Sequence, residues 1–146
     1  FLAGKDDAYR SQMAHYHLAL SIAQVESGMD HMAIGDNGRA LGAWQMHKAA
    51  WTDGNLQLKK EGRNQYPRED YYKPKEGLAV ALAYLRLCGI RMRAAGLSNP
   101  SPQQYYLCFS MGFQAFKEAG FDQDKCPKSK VDAAIRVGNI FENVTR

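Results

Sequence analysis

Helical periodicity dominates the hydrophobic pattern of this 146-residue chain. From Asp7 to about Glu26, two neighbouring stripes of apolar residues repeat at intervals of three and four, which predicts a well-buried helix. Asp6 or Asp7 can cap its start, and Gly28 can end it. The same spacing predicts further helices over residues 47–60, 76–95, 103–110, 112–119 and 128–143.

The segment over residues 29–46 has a different character. Gly35, Gly38 and Gly42 fall within eight positions, and Asp36-Asn37-Gly38 is a turn signal. We therefore expect a loop or a short, irregular hairpin after the first long helix. Residues 59–75 and 122–127 are expected to be mostly loop. The prediction is one α+β domain over residues 1–146, mostly helical, with one small β or loop element.

One face of the last predicted helix is expected to pack against the core. Val131, Ala134, Ile135 and Ile140 are its apolar positions, and we expect all four to face the core. Trp44 is also expected to be a core residue, because a tryptophan side chain buries a large area.

The chain carries a net charge of +4, which favours polyanionic partners such as cell walls, nucleic acid or anionic lipid headgroups. No helix is dense in basic residues, so a nucleic-acid partner is not expected. No run of 18 apolar residues exists, so no membrane span is predicted. Because the chain begins at Phe1 and not at Met, we expect a processed product or part of a longer protein.

The chain has three widely spaced cysteines, Cys88, Cys108 and Cys126, and an odd number at such spacing makes a poor disulfide framework. A single disulfide between two of them is still compatible with the sequence. Cys88 and Cys108 lie in apolar stretches and are expected to be small core residues. There is no Cys-x-x-Cys or Cys/His cluster, and His31 and His47 lack partners at ligand spacing. Neither a metal nor an organic cofactor is predicted, and both histidines are expected to be surface or capping residues.

Glu26 is the first candidate for chemistry. It lies at the C-terminal end of the predicted buried helix, where desolvation and the negative end of the helix dipole both favour an uncharged carboxyl group. A protonated carboxylic acid is what glycosidic cleavage needs to protonate the leaving oxygen. Position alone is weak support, since most carboxylates are solvated surface groups.

Gln45 is the second candidate. Its amide can both donate to and accept from the N-acetyl group of a sugar. The competing interpretation is a buried amide that satisfies backbone groups.

The residues around Glu26 form a constellation of three elements. These are Glu26-Ser27, Gly35-Asp36-x-Gly38 and Gly42-x-x-Gln45-Met46. The constellation resembles the signature of the goose-type lysozyme and soluble lytic transglycosylase superfamily. Residues 83–85 and 107–112 are similar to later segments of that family, with Ser110 in the place of an Asn. The resemblance spans roughly residues 15–115, and it implies a lysozyme-like fold.

The resemblance also implies roles for the matching residues. Glu26 would be the general acid, Ser27 would support it or the substrate, and Gln45 would hold the N-acetyl group. Asp36 matches an acid with which goose-type lysozymes position the attacking water, although Asp is equally natural in a turn. Lytic transglycosylases lack that acid and let the substrate's own hydroxyl close an anhydro ring. His47 stands where goose-type enzymes carry a further acid, so both reactions stay open.

Two more residues are candidates for substrate contact. Tyr105 and Tyr106 precede Ser110 on one predicted helix, and successive helix positions point apart. One of the two tyrosines can line the cleft while the other joins the core. We assign Tyr105 and Ser110 to the substrate cleft.

The expected activity is cleavage of the β-1,4 bond between N-acetylmuramic acid and N-acetylglucosamine in bacterial peptidoglycan. The enzyme would act at the cell wall, in the periplasm or outside the cell. A phage-borne lytic domain and a bacterial envelope enzyme both fit, with other virion or envelope proteins as candidate partners. The alternative is a non-catalytic structural or binding module of a virion or envelope assembly that reuses the fold.

Overall fold

The computed structural model describes the backbone of residues 2–145 and the side chains of residues 8–145. Within that part, the chain forms six α-helices and one small two-stranded element. The helices are α1 (Leu2–Ser27), α2 (Lys48–Lys60), α3 (Pro74–Ala94), α4 (Pro102–Met111), α5 (Phe113–Glu118) and α6 (Lys128–Thr145). The strands are β1 (Ile34–Gly35) and β2 (Ala40–Leu41), and the turns Asp36–Gly38, Arg68–Asp70 and Gln123–Lys125 are 3-10 helical. The predicted architecture, mostly helical with one small β element, is confirmed.

The first helix is longer than the hydrophobic pattern indicates. It begins at Leu2, so Asp6 and Asp7 lie inside its backbone and do not mark its start. Their side chains fall outside the described residues, and the predicted cap with them. At the other end, Gly28 has a left-handed backbone with φ of +65°, as expected for a residue that ends a helix.

The strands β1 and β2 form an antiparallel hairpin around the Asp36–Gly38 turn, with Gly35 paired to Ala40. We call residues 34–46, which include this element and the turn after it, the Gly-rich hairpin. Leu41 also bridges to Met46, which folds the chain back before α2 begins.

One hydrophobic core joins all six helices. Its members include Ile22 of α1, Leu85 of α3, Leu107 of α4, Phe116 of α5 and Val137 of α6, none of which is exposed to solvent. A single shared core supports the proposal that residues 1–146 form one domain.

Helices α2 and α3 approach each other closely at Gly54. A Cβ atom at this position would lie 2.8 Å from both Cγ1 and the carbonyl oxygen of Val80. The glycine is therefore required by packing, because any side chain would push α2 away from α3.

The prediction for the inward face of α6 is wrong at Ile135, whose side chain is 43% exposed. The buried stripe instead consists of Ala133, Ala134, Val137 and Gly138. Helix α6 packs against both α1 and α4, and small residues allow that close approach. Ile135 falls on the outer side of this stripe.

Cys88 and Cys108 are buried in the core, as predicted, and Cys126 is partly buried. All three are free thiols. No helix in the described residues combines the length and the apolar character needed to cross a membrane.

Replacing Gly54 by alanine should lower the free energy of unfolding by about 1–3 kcal/mol, because the added methyl group overpacks the contact with Val80. Gly138→Ala is the matched control, since the three atoms nearest to its added methyl group all belong to the flexible side chain of Gln103. Urea denaturation should show a change of less than about 1 kcal/mol for the control. Equal losses in the two variants would contradict this account of the α2–α3 contact.

Candidate active site

A cleft of about 490 Å³ lies between the Gly-rich hairpin and residues of α1, α2, α3, α4 and α6. The residues of chemical interest along it are Glu26, Asp36, Gln45, His47, Ser110 and Lys130. The fold thus brings four of the six residues selected from the sequence to one cleft. Ser27 and Tyr105 are not among the lining residues.

Glu26 is partly buried at the last turn of α1, where Tyr106 of α4 reaches it. The Tyr106 hydroxyl donates a hydrogen bond of 2.5 Å to Oε1 of Glu26. The other carboxyl oxygen, Oε2, has no hydrogen-bond partner in the described part of the chain, so it is available to a ligand in the cleft.

Tyr106 is only 2% exposed. Burial raises the pKa of Tyr106, and the Glu26 carboxylate beside it raises that pKa further. A hydrogen bond from Ser110 and the charge of Arg136 act in the opposite direction and are weaker. The phenol therefore keeps its proton and remains a donor to Glu26 over the physiological pH range.

Local sequence fixes where α4 begins. Ser101 and Gln104 form a capping box, in which the Ser101 hydroxyl accepts from the Gln104 N–H at 3.1 Å. The Gln104 side chain accepts in return from the Ser101 N–H at 2.9 Å. Pro102 occupies the first turn, where its missing N–H costs nothing.

The position of Tyr105 does not support its predicted contact with substrate. Its hydroxyl accepts a hydrogen bond from Arg93 at 3.2 Å, and its ring lies edge-on to His15, with 5.6 Å between the ring centroids. Tyr106 does not line the cleft either, but it is the tyrosine of this pair that contacts Glu26. The two were equivalent in sequence, and the way α4 packs against α3 and α6 decides between them.

Asp36 lies in the cleft, where its carboxylate contacts His47 and Arg39. Its Oδ2 is 3.1 Å from Nε2 of His47, and its Oδ1 is 3.5 Å from Nη2 of Arg39. About half of each Asp36 and His47 side chain is exposed, so solvent screens this pair. His47 precedes α2 but makes no side-chain cap, so its side chain serves the cleft rather than the helix end.

Gln45 presents an acceptor and uses its donors on the protein. Its Nε2 donates to the carbonyl of Gly42 at 2.9 Å and to that of Ala33 at 3.3 Å. Its Oε1 receives no hydrogen bond from the described residues. A Cβ atom at Gly35 would overlap that oxygen, which explains the glycine. The amide nitrogen of Gln45 therefore satisfies backbone carbonyls, which was the competing interpretation from the sequence. Its oxygen remains available to a donor such as the N–H of an N-acetyl group.

Three residues of the hairpin other than glycine have left-handed backbones. The φ angles of Asp36, Asn37 and Gln45 are +50°, +56° and +51°. Each such angle costs about 1 kcal/mol in a residue other than glycine. Strain of this kind is commonly found at functional sites, where the surrounding structure enforces it.

Ser27 connects α1 to the Gly-rich hairpin. Its hydroxyl donates to the carbonyl of Ala43 at 2.7 Å and accepts from the N–H of Asp30 at 3.1 Å. Its bonding capacity is therefore used inside the protein, which agrees with a supporting role and not with direct substrate contact. Trp44 has a parallel role, because it is buried, as predicted, and its indole N–H donates to the carbonyl of Ala19 at 2.7 Å.

Lys130 is a charged residue of the cleft that the sequence analysis did not identify. It lies in the first turn of α6, and its Nζ donates to Oγ of Ser110 at 2.6 Å. Nothing in a single lysine of a helix start distinguishes it from Lys128 nearby. Only the packing of α6 against α4 brings it to Ser110.

In the described residues, no group of three or more His, Cys, Asp or Glu side chains is arranged to hold a metal. The cleft offers instead one carboxyl group with a free oxygen, one amide oxygen and one cation.

Comparison with known proteins gives one family. The family model described as the transglycosylase SLT domain matches residues 6–94. The match includes Glu26, Asp36 and Gln45, whereas Tyr106 and Lys130 lie beyond it. Searches of curated proteins and of solved structures gave no match.

The raised pKa of Tyr106 has a consequence for stability at high pH. The pKa of a tyrosine in an unfolded chain is about 10. Below that pH, Tyr106 keeps its proton in both the folded and the unfolded state, and its contribution to the free energy of unfolding is fully present. Above that pH the unfolded chain loses the proton while Tyr106 in the fold keeps it, so the free energy of unfolding falls by up to about 1.4 kcal/mol per pH unit.

Tyr106→Phe should remove that contribution, so the free energy of unfolding should fall less steeply with rising pH. Denaturation at several pH values above about 10 measures this slope. Tyr72→Phe, at a ring that is 42% exposed, is the control and should leave the slope unchanged. The same slope in wild type and Tyr106→Phe would show that the environment of Tyr106 is not as described.

Proposed function

Because this chain belongs to the transglycosylase SLT domain family, we propose that Glu26 is the general acid of a peptidoglycan lytic transglycosylase. The family match covers more than half of the chain and makes the protein a peptidoglycan-degrading enzyme. Membership of an enzyme family also sets aside the alternative of a non-catalytic module. The proposed bond is the β-1,4 bond between N-acetylmuramic acid and N-acetylglucosamine.

The hydrogen bond between Tyr106 and Glu26 is the observation that carries this proposal. It occupies one carboxyl oxygen and orients the other for the glycosidic oxygen. As Glu26 gives up its proton, the bond between the anomeric carbon and the bridging oxygen breaks and an oxocarbenium-like state develops. The Tyr106 hydroxyl then stabilises the carboxylate that is left, because hydrogen bonds to charged oxygens are the stronger ones.

In the second step, the Glu26 carboxylate acts as a base. It accepts the proton of the primary hydroxyl of the same muramic residue, while that oxygen bonds to the anomeric carbon and closes an anhydro ring. One group thus serves as acid and then as base, and no second carboxylate is required.

We propose that Asp36 maintains the shape of the cleft and takes no part in the reaction. Its carboxylate is paired with His47 and Arg39, which supports a role in holding the strained hairpin turn. The same Asp36–His47 pair is the observation in favour of a second candidate, hydrolysis, in which Asp36 would activate a water. The two candidates differ in their need for Asp36.

Gln45 is proposed to position the muramic or glucosamine N-acetyl group through its free side-chain oxygen. An accepting amide oxygen suits the N–H of that group, and the amide nitrogen is already used by Gly42 and Ala33. Because Trp44 is buried, it is not available as a stacking platform for a sugar.

Glu26→Gln should lower the release of soluble fragments from purified peptidoglycan by a factor of about 100 to 10,000, since an amide cannot donate the proton. The matched control is Asp36→Asn, which makes the same change to the other acid in the same cleft. It should keep its activity within a few-fold of wild type.

Each variant reports on a different part of the proposal. Glu26→Gln activity near the wild-type level would contradict the role of Glu26 as the acid. A loss with Asp36→Asn as large as that with Glu26→Gln would support hydrolysis with two acids. Thermal unfolding of both variants checks that neither loss comes from misfolding.

A further inference from the structure

Lys130 places a positive charge in the cleft beyond the end of the family match. It is partly buried, and the Ser110 hydroxyl holds its ammonium group at 2.6 Å. A lysine ammonium has three N–H donors, and Ser110 accepts only one of them. Two donors are therefore left for a ligand.

No carboxylate in the described residues pairs with Lys130. The two acids of the cleft have other partners, since Glu26 accepts from Tyr106 and Asp36 pairs with His47 and Arg39. The first turn of α6 contains no acidic residue either. A fixed, partly buried cation without a counter-ion attracts an anionic group from outside the protein.

We propose that Lys130, oriented by Ser110, binds a carboxylate of the muramic-acid side of the substrate. This inference depends on the proposed function, because it names a group of the same glycan strand. Muramic acid bears a lactyl carboxyl group, which is free in strands without peptide and amide-linked where a stem peptide is attached. The stem peptide brings further carboxylates, so the shared ligand chemistry is a carboxylate near the cleaved bond.

The chemistry of the pair suits this ligand. A charge-assisted hydrogen bond from an ammonium to a carboxylate is about twice as strong as a neutral one. Ser110 holds Nζ in one place, so less side-chain freedom is lost when the ligand binds. Lys130 would then be a specificity residue that selects strands with a free carboxylate.

Binding to glycan strands tests this directly. The protein carries Glu26→Gln so that strands are not cut, with and without Lys130→Met. The probes are peptide-bearing strands and peptide-free strands, each either untreated or with carboxylates converted to neutral methylamides. Lys130→Met should weaken binding to strands with free carboxylates about tenfold and leave binding to methylamide strands unchanged.

Two further variants make the result specific. Lys128→Met is the matched control, because Lys128 is exposed, lies on the same helix turn and does not line the cleft. It should change no affinity by more than about twofold. Lys130→Arg keeps the charge and should restore most of the binding, which a purely structural role for Lys130 would not predict.

The outcomes separate the two sources of the carboxylate. A loss with peptide-free strands identifies the lactyl group, and a loss confined to peptide-bearing strands identifies the stem peptide; both support the proposal. No loss, an equal loss on methylamide strands, or no measurable binding to untreated strands would overturn it. Cleavage of the same strands by wild type tests the proposed function independently, so that either claim can fail without the other.

Discussion

The hydrogen bond from Tyr106 to Glu26 is the interaction on which the site depends. It joins the end of α1, in the first part of the chain, to α4, which lies beyond the family match. This hydrogen bond forms only if Tyr106 is buried and if α4 is turned about its axis so that Tyr106 faces Glu26 at the end of α1. The hydrophobic core and the packing of α4 against α3 and α6 meet these conditions, and the capping box at Ser101 fixes where α4 begins. A shift of α4 by one residue would present a different side chain to Glu26.

The Gly-rich hairpin forms the opposite wall and is held to α1 in two places. Ser27 bonds to the carbonyl of Ala43, and Trp44 bonds to the carbonyl of Ala19. These hydrogen bonds, one partly buried and one buried, help to offset the left-handed backbones of Asp36 and Gln45. The acid and the amide oxygen that is proposed to hold the substrate are thus both fixed relative to one helix. Such preorganisation is what an electrostatic mechanism needs.

The parts of the fold that could be predicted are those set by local sequence. Hydrophobic spacing locates the helices, and the cluster of glycines with Asp36 locates the hairpin. The candidate acid Glu26 could be selected because its supporting motif lies within twenty or so residues of it. The parts that could not be predicted depend on how helices pack. Tyr106 rather than Tyr105, Lys130 rather than Lys128, and the outward turn of Ile135 each depend on the rotation of a helix about its axis. Nothing in the spacing of residues along α4 or α6 specifies that rotation, because both helices have apolar residues on more than one face.

The central claim is that Glu26 is the one acid and base in cleavage of the glycosidic bond, and that the substrate's own hydroxyl, not water, attacks the anomeric carbon. Mass spectrometry of the fragments that wild type releases from purified peptidoglycan in heavy-oxygen water tests it most directly. The account predicts anhydromuramyl ends without heavy oxygen, because no water enters the product. Reducing muramic ends that carry one heavy oxygen would contradict it and would make the Asp36–His47 pair the activator of a hydrolytic water.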